Sequence, residues 1–313
     1  MKTHKFAVFA LAWLCAASIS HAQVKLVNKH QENSKHTYEH VFKLEQTTTQ
    51  MGVESQVDLE QGGTYTLAVG KRRDDGMLPI ESTIESMKVV INGPGGSFTF
   101  DSADTGAAAP DNPQLKSAQD VLRARVGASH TVVLDKQGKV ASIEGLEKIL
   151  DRIQQANPDA VESAKMSLSQ ENVKRTEAQS FELLPDTLLR PGDSWTRTEV
   201  KDLGAGQTLT FEKRYEYAGT VEKNGKTLDK ITSKSSSVKY ALAPSSVVPA
   251  TVKSSELKLL ESSGTILFDR EAGMLVESDD HSKIDGAIDL AVMGQEVKLE
   301  LVLTLNETNR LKK

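Results

Sequence analysis

The sequence predicts an α+β fold that is predominantly antiparallel β-sheet. Apolar residues alternate with a period of two through most of the chain, glycine-containing turns separate the alternating stretches, and an internal region shows helical spacing instead. Strands joined by short turns, without a helix between each pair, form antiparallel sheet with one packed and one solvated face. We therefore predict two β-rich halves, residues 23–142 and 185–313, linked by amphipathic helices at 143–184.

Residues 1–22 have the pattern of a secretory signal peptide. A cationic start precedes an apolar run at 6–19, and residues 20–22 place small side chains where a signal peptidase reads them. The run is shorter than the ~20 residues that a membrane-spanning helix needs. We expect cleavage near Ala22 and export to the periplasm or the medium, with no integral membrane segment in the mature chain. Cys15 is the only cysteine, so the mature protein depends on its core rather than on disulfides.

Charge and composition exclude several classes of partner. The formal net charge is −5, and loss of the signal peptide removes two lysines, which makes the mature chain more acidic. Nucleic acids and anionic membrane surfaces both require basic patches. Aromatic residues make up only 5% of the chain, which also argues against a stacking platform for bases or sugars. We predict no cofactor and no nucleic-acid partner.

The strands follow from the alternation. At 37–44, Tyr38, His40, Phe42 and Leu44 share one side of a predicted strand. Further strands are predicted in the first half at 64–69, 87–91, 97–102 and 130–135, and in the second half at 207–219, 264–269, 274–278 and 296–305. A Pro-Gly-Asp turn at 191–193 starts one more strand, in which Trp195 is expected to be buried.

The helices follow from apolar spacing of three and four residues. The clearest is 142–156, where Ile143, Leu146, Ile149, Leu150 and Ile153 form one stripe. Asn157-Pro158 ends this helix and starts the next, at about 158–168, because Asn suits a cap and Pro the first turn. A third helix is predicted at about 171–184 and another at 112–127.

Two hairpins have similar sequences. "HTVVLDKQGKVASIEG" at 130–145 and "GTILFDREAGMLVESD" at 264–279 both read as threonine, three apolar residues, aspartate, a turn with glycine and a second strand. This similarity, at an offset of 134 residues, predicts that the two β-rich halves are an internal duplication.

The motif "HTYEH" at 36–40 has the H-x-x-E-H order of one group of zinc peptidases. Such enzymes bind zinc through two histidines on one helical face. On the predicted strand, His36 and His40 would instead lie ~13 Å apart, at ~3.3 Å per residue, with Glu39 on the opposite face. Zinc–nitrogen bonds are ~2.0–2.1 Å long, so one ion could not bridge them. We therefore assign no metal ligands and no catalytic residues, and keep a zinc metallopeptidase as the third hypothesis.

Other short motifs have structural interpretations. "PGDSW" at 191–195 lacks the second glycine of a nucleophile elbow, and "NGPGGS" at 92–97 lacks the lysine of a phosphate-binding loop. The acidic pair Asp279-Asp280 is interpreted as part of a solvated turn.

Four segments carry a family resemblance. They are "GASHTVVLDKQGKVASIEGLEKIL" (127–150), "FELLPDTLLRPGDSWTRT" (181–198), "SGTILFDREAGMLVESD" (263–279) and "VMGQEVKLEL" (292–301). The chain resembles a family of exported bacterial proteins of unknown function, which carry paired threonine-led hairpins and a "GDSW" turn. The resemblance implies a two-part, β-rich envelope protein and brings no catalytic residues. A looser analogy relates such a sheet, curved and closed by helices, to the half-barrels of lipoprotein carriers.

The leading functional hypothesis is a non-enzymatic exported protein with an apolar groove for a lipid-like ligand or an envelope partner. Its lining would come from apolar strand residues of both halves: Phe42, Leu44, Val132, Leu134, Ile266, Phe268, Leu299 and Leu301. Core packing is the alternative for each of them. The second hypothesis is a protein–protein interaction module of the cell envelope that presents edge strands to a partner.

Overall fold

Twelve β-strands form one antiparallel sheet in the computed structural model, which describes residues 23–106, 110–204, 206–243, 250–292 and 294–312. The first half contributes β1 (Lys35–Gln50), β2 (Val53–Val69), β3 (Leu78–Gly93), β4 (Gly96–Asp101), β5 (Ser129–Leu134) and β6 (Val140–Glu144). The second half contributes β7 (Ser194–Gly204), β8 (Gln207–Lys223), β9 (Lys226–Leu242), β10 (Ala250–Asp269), β11 (Met274–Val292) and β12 (Gln295–Leu311). The predicted antiparallel fold class is confirmed.

The two halves join through their outermost strands in the sequence. The strand order is β6-β5-β3-β2-β1-β12-β11-β10-β9-β8-β7, and β4 pairs with β3 beside this path. β1 pairs with β12 from Tyr38 opposite Leu311 to Thr49 opposite Glu300. One continuous sheet therefore runs through both β-rich halves, with β6 and β7 as the end strands of this path.

The helices lie close to the predicted regions, but the helix predicted at 142–156 begins only at Leu146, and Ile143 belongs to β6. The helices are α1 (Pro113–Arg125), α2 (Leu146–Ala156), a 3₁₀ turn (Pro158–Ala160), α3 (Val161–Ser167) and α4 (Gln170–Phe181). Asn112 caps α1, since its side-chain oxygen accepts a hydrogen bond of 2.8 Å from the backbone N–H of Gln114. The apolar stripe of α2 packs with α3, α4 and the inner face of β3, β5 and β6 in one cluster, which we call the helix-side cluster.

α4 contacts the backbone of both end strands, β6 extensively and β7 through one side chain. Three side chains at or just after α4 bind the backbone of β6: Gln170 and Lys174 donate to the carbonyls of Ile143 and Ala141 at 2.6 and 2.8 Å, and Glu182 accepts from the N–H of Val140 at 2.9 Å. On the other side, the Gln179 amide donates to the carbonyl of Val200 in β7 at 3.2 Å and accepts from its N–H at 2.5 Å. Unpaired edges invite pairing with other chains, and α4 occupies part of each.

The two similar hairpins also share an irregularity. β5–β6 has a bulge between Val133 and Leu134, and β10–β11 has one between Leu267 and Phe268, at the same offset of 134 residues. The neighbour order β1-β2-β3-β5-β6 matches β7-β8-β9-β10-β11. Both features support the duplication, which stays a prediction.

Candidate functional site

The inner face formed by β1 and β7–β12 has three layers along the strand direction. One end carries an apolar group that we call the open-end cluster: Leu44, Leu209, Phe211, Val238, Ile284, Ile288, Leu301, Leu303 and Leu305. The other end carries the closed-end cluster: Leu26, Leu189, Tyr215, Tyr217, Ile231, Ile266 and Phe268. Between them lies the ionic layer: His40, Glu199, Lys201, Lys213, Asp280 and Glu307.

Strand periodicity places these charged side chains on the inner face of the sheet. In β8, Leu209, Phe211, Lys213, Tyr215 and Tyr217 follow each other at every second position, and all five are buried. In β12, Glu307 follows the inward-facing leucines at the next alternate position, and in β1, His40 stands in the same relation to the apolar residues Phe42 and Leu44. The ionic layer therefore crosses a face that is apolar on both sides of it.

The six side chains form a continuous chain of contacts. His40 Nε2 lies 3.0 Å from one oxygen of Glu307, and the other oxygen of Glu307 pairs with the ammonium of Lys201. Lys201 lies 3.6 Å from Asp280, and Asp280 lies 2.7 Å from the Nζ of Lys213. Lys213 also contacts Glu199 at 3.3 Å, so that β7 and β8 are bound across the face to β1, β11 and β12.

These contacts shift the pKa values of the central pair. Burial alone would lower the pKa of Lys201, but the carboxylates of Glu307 and Asp280 outweigh it and raise the pKa above the usual lysine value. Burial alone would raise the pKa of Glu307, yet Lys201 and His40 lower it well below the usual glutamate value. Both groups are therefore held in their charged forms.

A glycine makes room for the layer. Gly264 of β10 lies opposite Asp280 on one side and Ser233 on the other. A Cβ atom at this position would stand 2.2 Å from the Oγ of Ser233 and 3.0 Å from Oδ1 of Asp280. The absence of a side chain thus lets Asp280 reach the two lysines.

The open-end cluster extends outward to side chains that are only partly buried. These are Phe42, Leu59, Leu203, Tyr240, Val252, Leu257, Leu259 and Leu290, and each packs against the buried members. In the described part of the chain, every member of this cluster belongs to a strand. The inner face therefore presents apolar surface to solvent at this end.

Two chain segments cover the opposite end. Val24 and Leu189 exchange backbone hydrogen bonds of 2.8 and 2.7 Å, and Leu26 is only 2% exposed in the closed-end cluster. Trp195, which was expected to be buried, is half-buried there. Its ring stacks on Tyr215, and its Nε1 donates to the carbonyl of Leu183 at 3.1 Å.

The predicted groove residues fall into separate places. Phe42, Leu44 and Leu301 come together in the open-end cluster, and Leu299 lies half-buried one position outward from Leu301 on the same side of β12. The other four lie elsewhere: Ile266 and Phe268 in the closed-end cluster, Val132 and Leu134 in the helix-side cluster. The structure thus groups one half of the predicted lining at one end of the sheet.

The H-x-x-E-H motif lies in β1, so its backbone is extended as predicted. His40 belongs to the ionic layer, whereas His36 contacts the hydroxyl of Ser34 at 3.1 Å and Glu39 is exposed. Among the described residues, no group of three or more His, Cys, Asp or Glu side chains is arranged to hold a metal ion.

The interpretation of Asp279-Asp280 as a solvated turn is wrong. Both residues lie within β11, and Asp280 points into the ionic layer because the strand continues far beyond the predicted end at 278. Lys201, Lys213, Glu199 and Glu307 were not identified from the sequence. For Lys213 and Glu307 the signal was their phase, since each is a charged residue at a position where the alternation of its strand calls for an apolar one. Glu199 and Lys201 gave no such signal, because Arg197, Glu199 and Lys201 are successive charged residues on the same side of β7.

The chain matches a protein family over residues 75–275, and that family is described as a family of unknown function, DUF6263. The chain belongs to this family. No curated protein matches it. In the described residues, no helix has the length and apolarity needed to cross a membrane.

Solved structures share only general features with the chain. Lipovitellin is 10% identical with a TM-score of 0.44; the match covers 91% of this chain but only 26% of lipovitellin. DynF, from the dynemicin biosynthesis pathway of Micromonospora chersina, is 10% identical with a TM-score of 0.22, covering 92% of this chain and 85% of DynF. A Bacteroides fragilis protein with a YmcC-like fold is 8% identical with a TM-score of 0.21, covering 92% and 99%. At these TM-scores no property of the three proteins is transferred to this chain.

Proposed function

We propose that the protein is a binding protein rather than an enzyme, and that it takes the apolar chain of a lipid-like molecule at the open end of its sheet. The observation that carries this proposal is the set of eight partly exposed apolar side chains on the inner face of β1, β2, β7 and β9–β11. Apolar surface that converges on a concave face is typical of sites for small apolar ligands.

The ionic layer gives this site a floor. An apolar chain that lies against Leu203, Leu257 and Leu290 has Lys201 two residues further along β7 from Leu203. On β8 the buried Leu209 and Phe211 separate it from Lys213. Displacing paired charges from their partners costs several kcal/mol, so the chain stops where the ion pairs begin. The ligand would therefore bury its apolar part in the open-end cluster and keep its polar group toward solvent.

Chain length provides a quantitative expectation. Each methylene that leaves water contributes ~0.8 kcal/mol, so a chain that is shorter by two methylenes should bind about fifteenfold more weakly. A series of saturated fatty acids, each in competition with an environment-sensitive apolar dye for the folded protein, measures this dependence. Equal affinity for all lengths, or no dye uptake by the folded monomer, would argue against the proposal.

Two leucines of β10 form a matched pair of variants. Leu257 packs against the open-end cluster, whereas Leu260 is 55% exposed on the surface. Leu257→Asn should weaken dye and fatty-acid binding by about tenfold or more, because it places an amide against the ligand chain. Leu260→Asn should leave binding unchanged. Native mass spectrometry of both variants and the parent protein reports any ligand that co-purifies.

We also infer that this binding takes place outside the cytoplasm. The signal-peptide pattern of residues 1–22 supports export, although these residues lie outside the described part of the chain. Cleavage after Ala22 would retain the segment that begins at Gln23 and places Leu26 in the closed-end cluster. N-terminal sequencing of the protein from the expressing cell should give Gln23 as the first residue, and an intact Met1 would contradict the inference.

A further inference from the structure

The free edge of β7 has backbone groups without partners. The N–H of Val200 donates to the side chain of Gln179 in α4, and the carbonyl of Val200 accepts from it. Both backbone groups therefore point away from β8. Backbone direction alternates along a strand, and Thr198 and Thr196 therefore direct their N–H and carbonyl groups to the same edge. Within the described residues no hydrogen-bond partner stands opposite these four groups. Gln179 pairs with the edge as one residue of a neighbouring strand would.

A cleft lies along this edge. It has a volume of about 460 Å³ and is lined by Arg175, Ala178, Gln179 and Glu182 from the helix side and by residues 196–200 of β7. Sites for small ligands commonly span ~300–1,000 Å³. A short extended segment could lie in the cleft parallel to β7 and meet the free backbone groups of Thr196 and Thr198.

The cleft also has unused cationic donors. The Nε of Arg175 is buried without a hydrogen-bond partner, although its terminal nitrogen donates to Asn172 at 2.9 Å. Arg197 has no ion-pair partner in the described chain. The two acidic side chains of the cleft are engaged elsewhere, Glu182 with the N–H of Val140 and Glu199 with Lys213. Guanidinium groups in this condition favour a carboxylate, which can accept two parallel hydrogen bonds.

We propose that this cleft binds an extended peptide segment that carries a carboxylate. The segment adds to β7 as one further strand, its main chain bonds to Thr196 and Thr198, and its carboxylate pairs with Arg197 and Arg175. The site lies at the edge of the sheet, so this inference goes beyond the lipid-like ligand of the inner face and does not depend on it. The partner is a peptide or protein with an exposed acidic strand or a free carboxyl terminus.

The test uses a fluorescein-labelled hexapeptide that alternates threonine and valine and ends in glutamate with a free carboxylate. Fluorescence anisotropy with the full mature chain should show saturable binding. The same peptide with N-methylated backbone amides should not bind, since strand addition depends on main-chain hydrogen bonds. The amidated version with glutamine in place of glutamate should bind at least about tenfold more weakly. No saturable binding of the first peptide at millimolar protein would overturn the proposal.

Substitution of Thr196 can remove a hydrogen-bond donor from the free edge of β7 without disturbing the pairing of β7 with β8. Thr196→Pro deletes an N–H that points away from β8, and proline is tolerated at such positions of edge strands. It should abolish peptide binding, whereas Thr196→Ala, which keeps the N–H, should bind like the parent protein. Unchanged thermal unfolding of both variants shows that the fold is intact. Equal peptide affinity of the two variants would refute strand addition.

Arg197→Gln tests the carboxylate contact and should weaken binding at least about tenfold. Arg214→Gln is its control, because Arg214 is the exposed cross-strand neighbour of Thr196 and lies outside the cleft. It should leave affinity unchanged. Equal loss in both variants would reduce the effect to net charge and overturn the assigned site.

Discussion

Lys213 is the side chain of the ionic layer whose removal should cost the most stability. The residue is only 5% exposed, and its Nζ lies 2.7 Å from Asp280 and 3.3 Å from Glu199. Lys213→Met keeps the aliphatic stem and nearly the same volume, so packing changes little. It leaves two carboxylates facing each other without their shared cation. Removing one partner from a buried ion pair costs ~3–5 kcal/mol, and we expect a loss of that size in the free energy of unfolding.

Urea unfolding at neutral pH, followed by tryptophan fluorescence, measures this loss. Lys234→Met is the control, because Lys234 is exposed on the adjacent strand β9, and a surface change of this kind stays within about 0.5 kcal/mol. The double variant Lys213→Met with Glu199→Gln removes one charge of each sign and leaves Asp280 beside Lys201 at 3.6 Å. It should recover about half of the loss or more. A loss below about 1 kcal/mol for Lys213→Met would show that the layer is hydrated and that its ion pairs contribute little stability.

Three further predictions concern other parts of the fold. Burial first, and then the charges of His36 and Arg72, lower the pKa of His30 to about 4. The folded protein therefore binds this proton less readily than the unfolded chain. The free energy of unfolding should fall by about 2 kcal/mol between pH 7.5 and pH 5. His30→Phe, which can still contact Phe181, should reduce this pH dependence of the melting temperature, and an unchanged dependence would contradict the assignment. Gly264→Ala should lower the free energy of unfolding in urea by ~1–3 kcal/mol, because the new methyl group collides with the Ser233 hydroxyl. Adding Ser233→Ala should restore part of this loss. Additive losses for the two substitutions would disprove the collision. Gln179→Ala should speed amide hydrogen exchange at Val200, because it lowers the free energy of local opening by the ~0.5–1.5 kcal/mol that one hydrogen bond contributes. Ser180→Ala, at an exposed position, should leave the exchange rate unchanged. Equal rates in the two variants would mean that α4 does not hold this edge.

Much of the sheet could be predicted because apolar alternation is a local property. The strands predicted at 37–44, 130–135 and 296–305 were found as β1, β5 and β12; β5 has the predicted length, shifted by one residue, whereas β1 and β12 are longer than predicted. β9 was missed altogether. Its sequence "KTLDKITSKSSSVKYAL" is dominated by serine, threonine and lysine, and its inner face includes Ser233 and Ser235, which lie beside the ionic layer rather than in an apolar cluster. Between the buried Ile231 and Val238, these two buried serines interrupt the apolar alternation by which a strand is recognised.

The site was harder to predict because it depends on contacts between distant strands. Glu307 meets Lys201, 106 residues away, only because the sheet bends until β7 lies over β12. The role of α4 has the same origin. Its sequence is mostly polar, and the reason is visible only where Gln170, Lys174 and Gln179 reach the two sheet edges. Neither curvature nor edge position is encoded in the period of a single strand.

The pairing of β1 with β12 has a consequence for biosynthesis. Gln50, at the end of β1, and Gln295, at the start of β12, lie 245 residues apart in the chain. A nascent polypeptide would therefore expose one side of β1 from an early point until β12 has left the ribosome, and pairings of such long range form slowly. During this interval a holding chaperone could bind the unpaired edge of β1, and deletion of β12 should make the chain prone to aggregation.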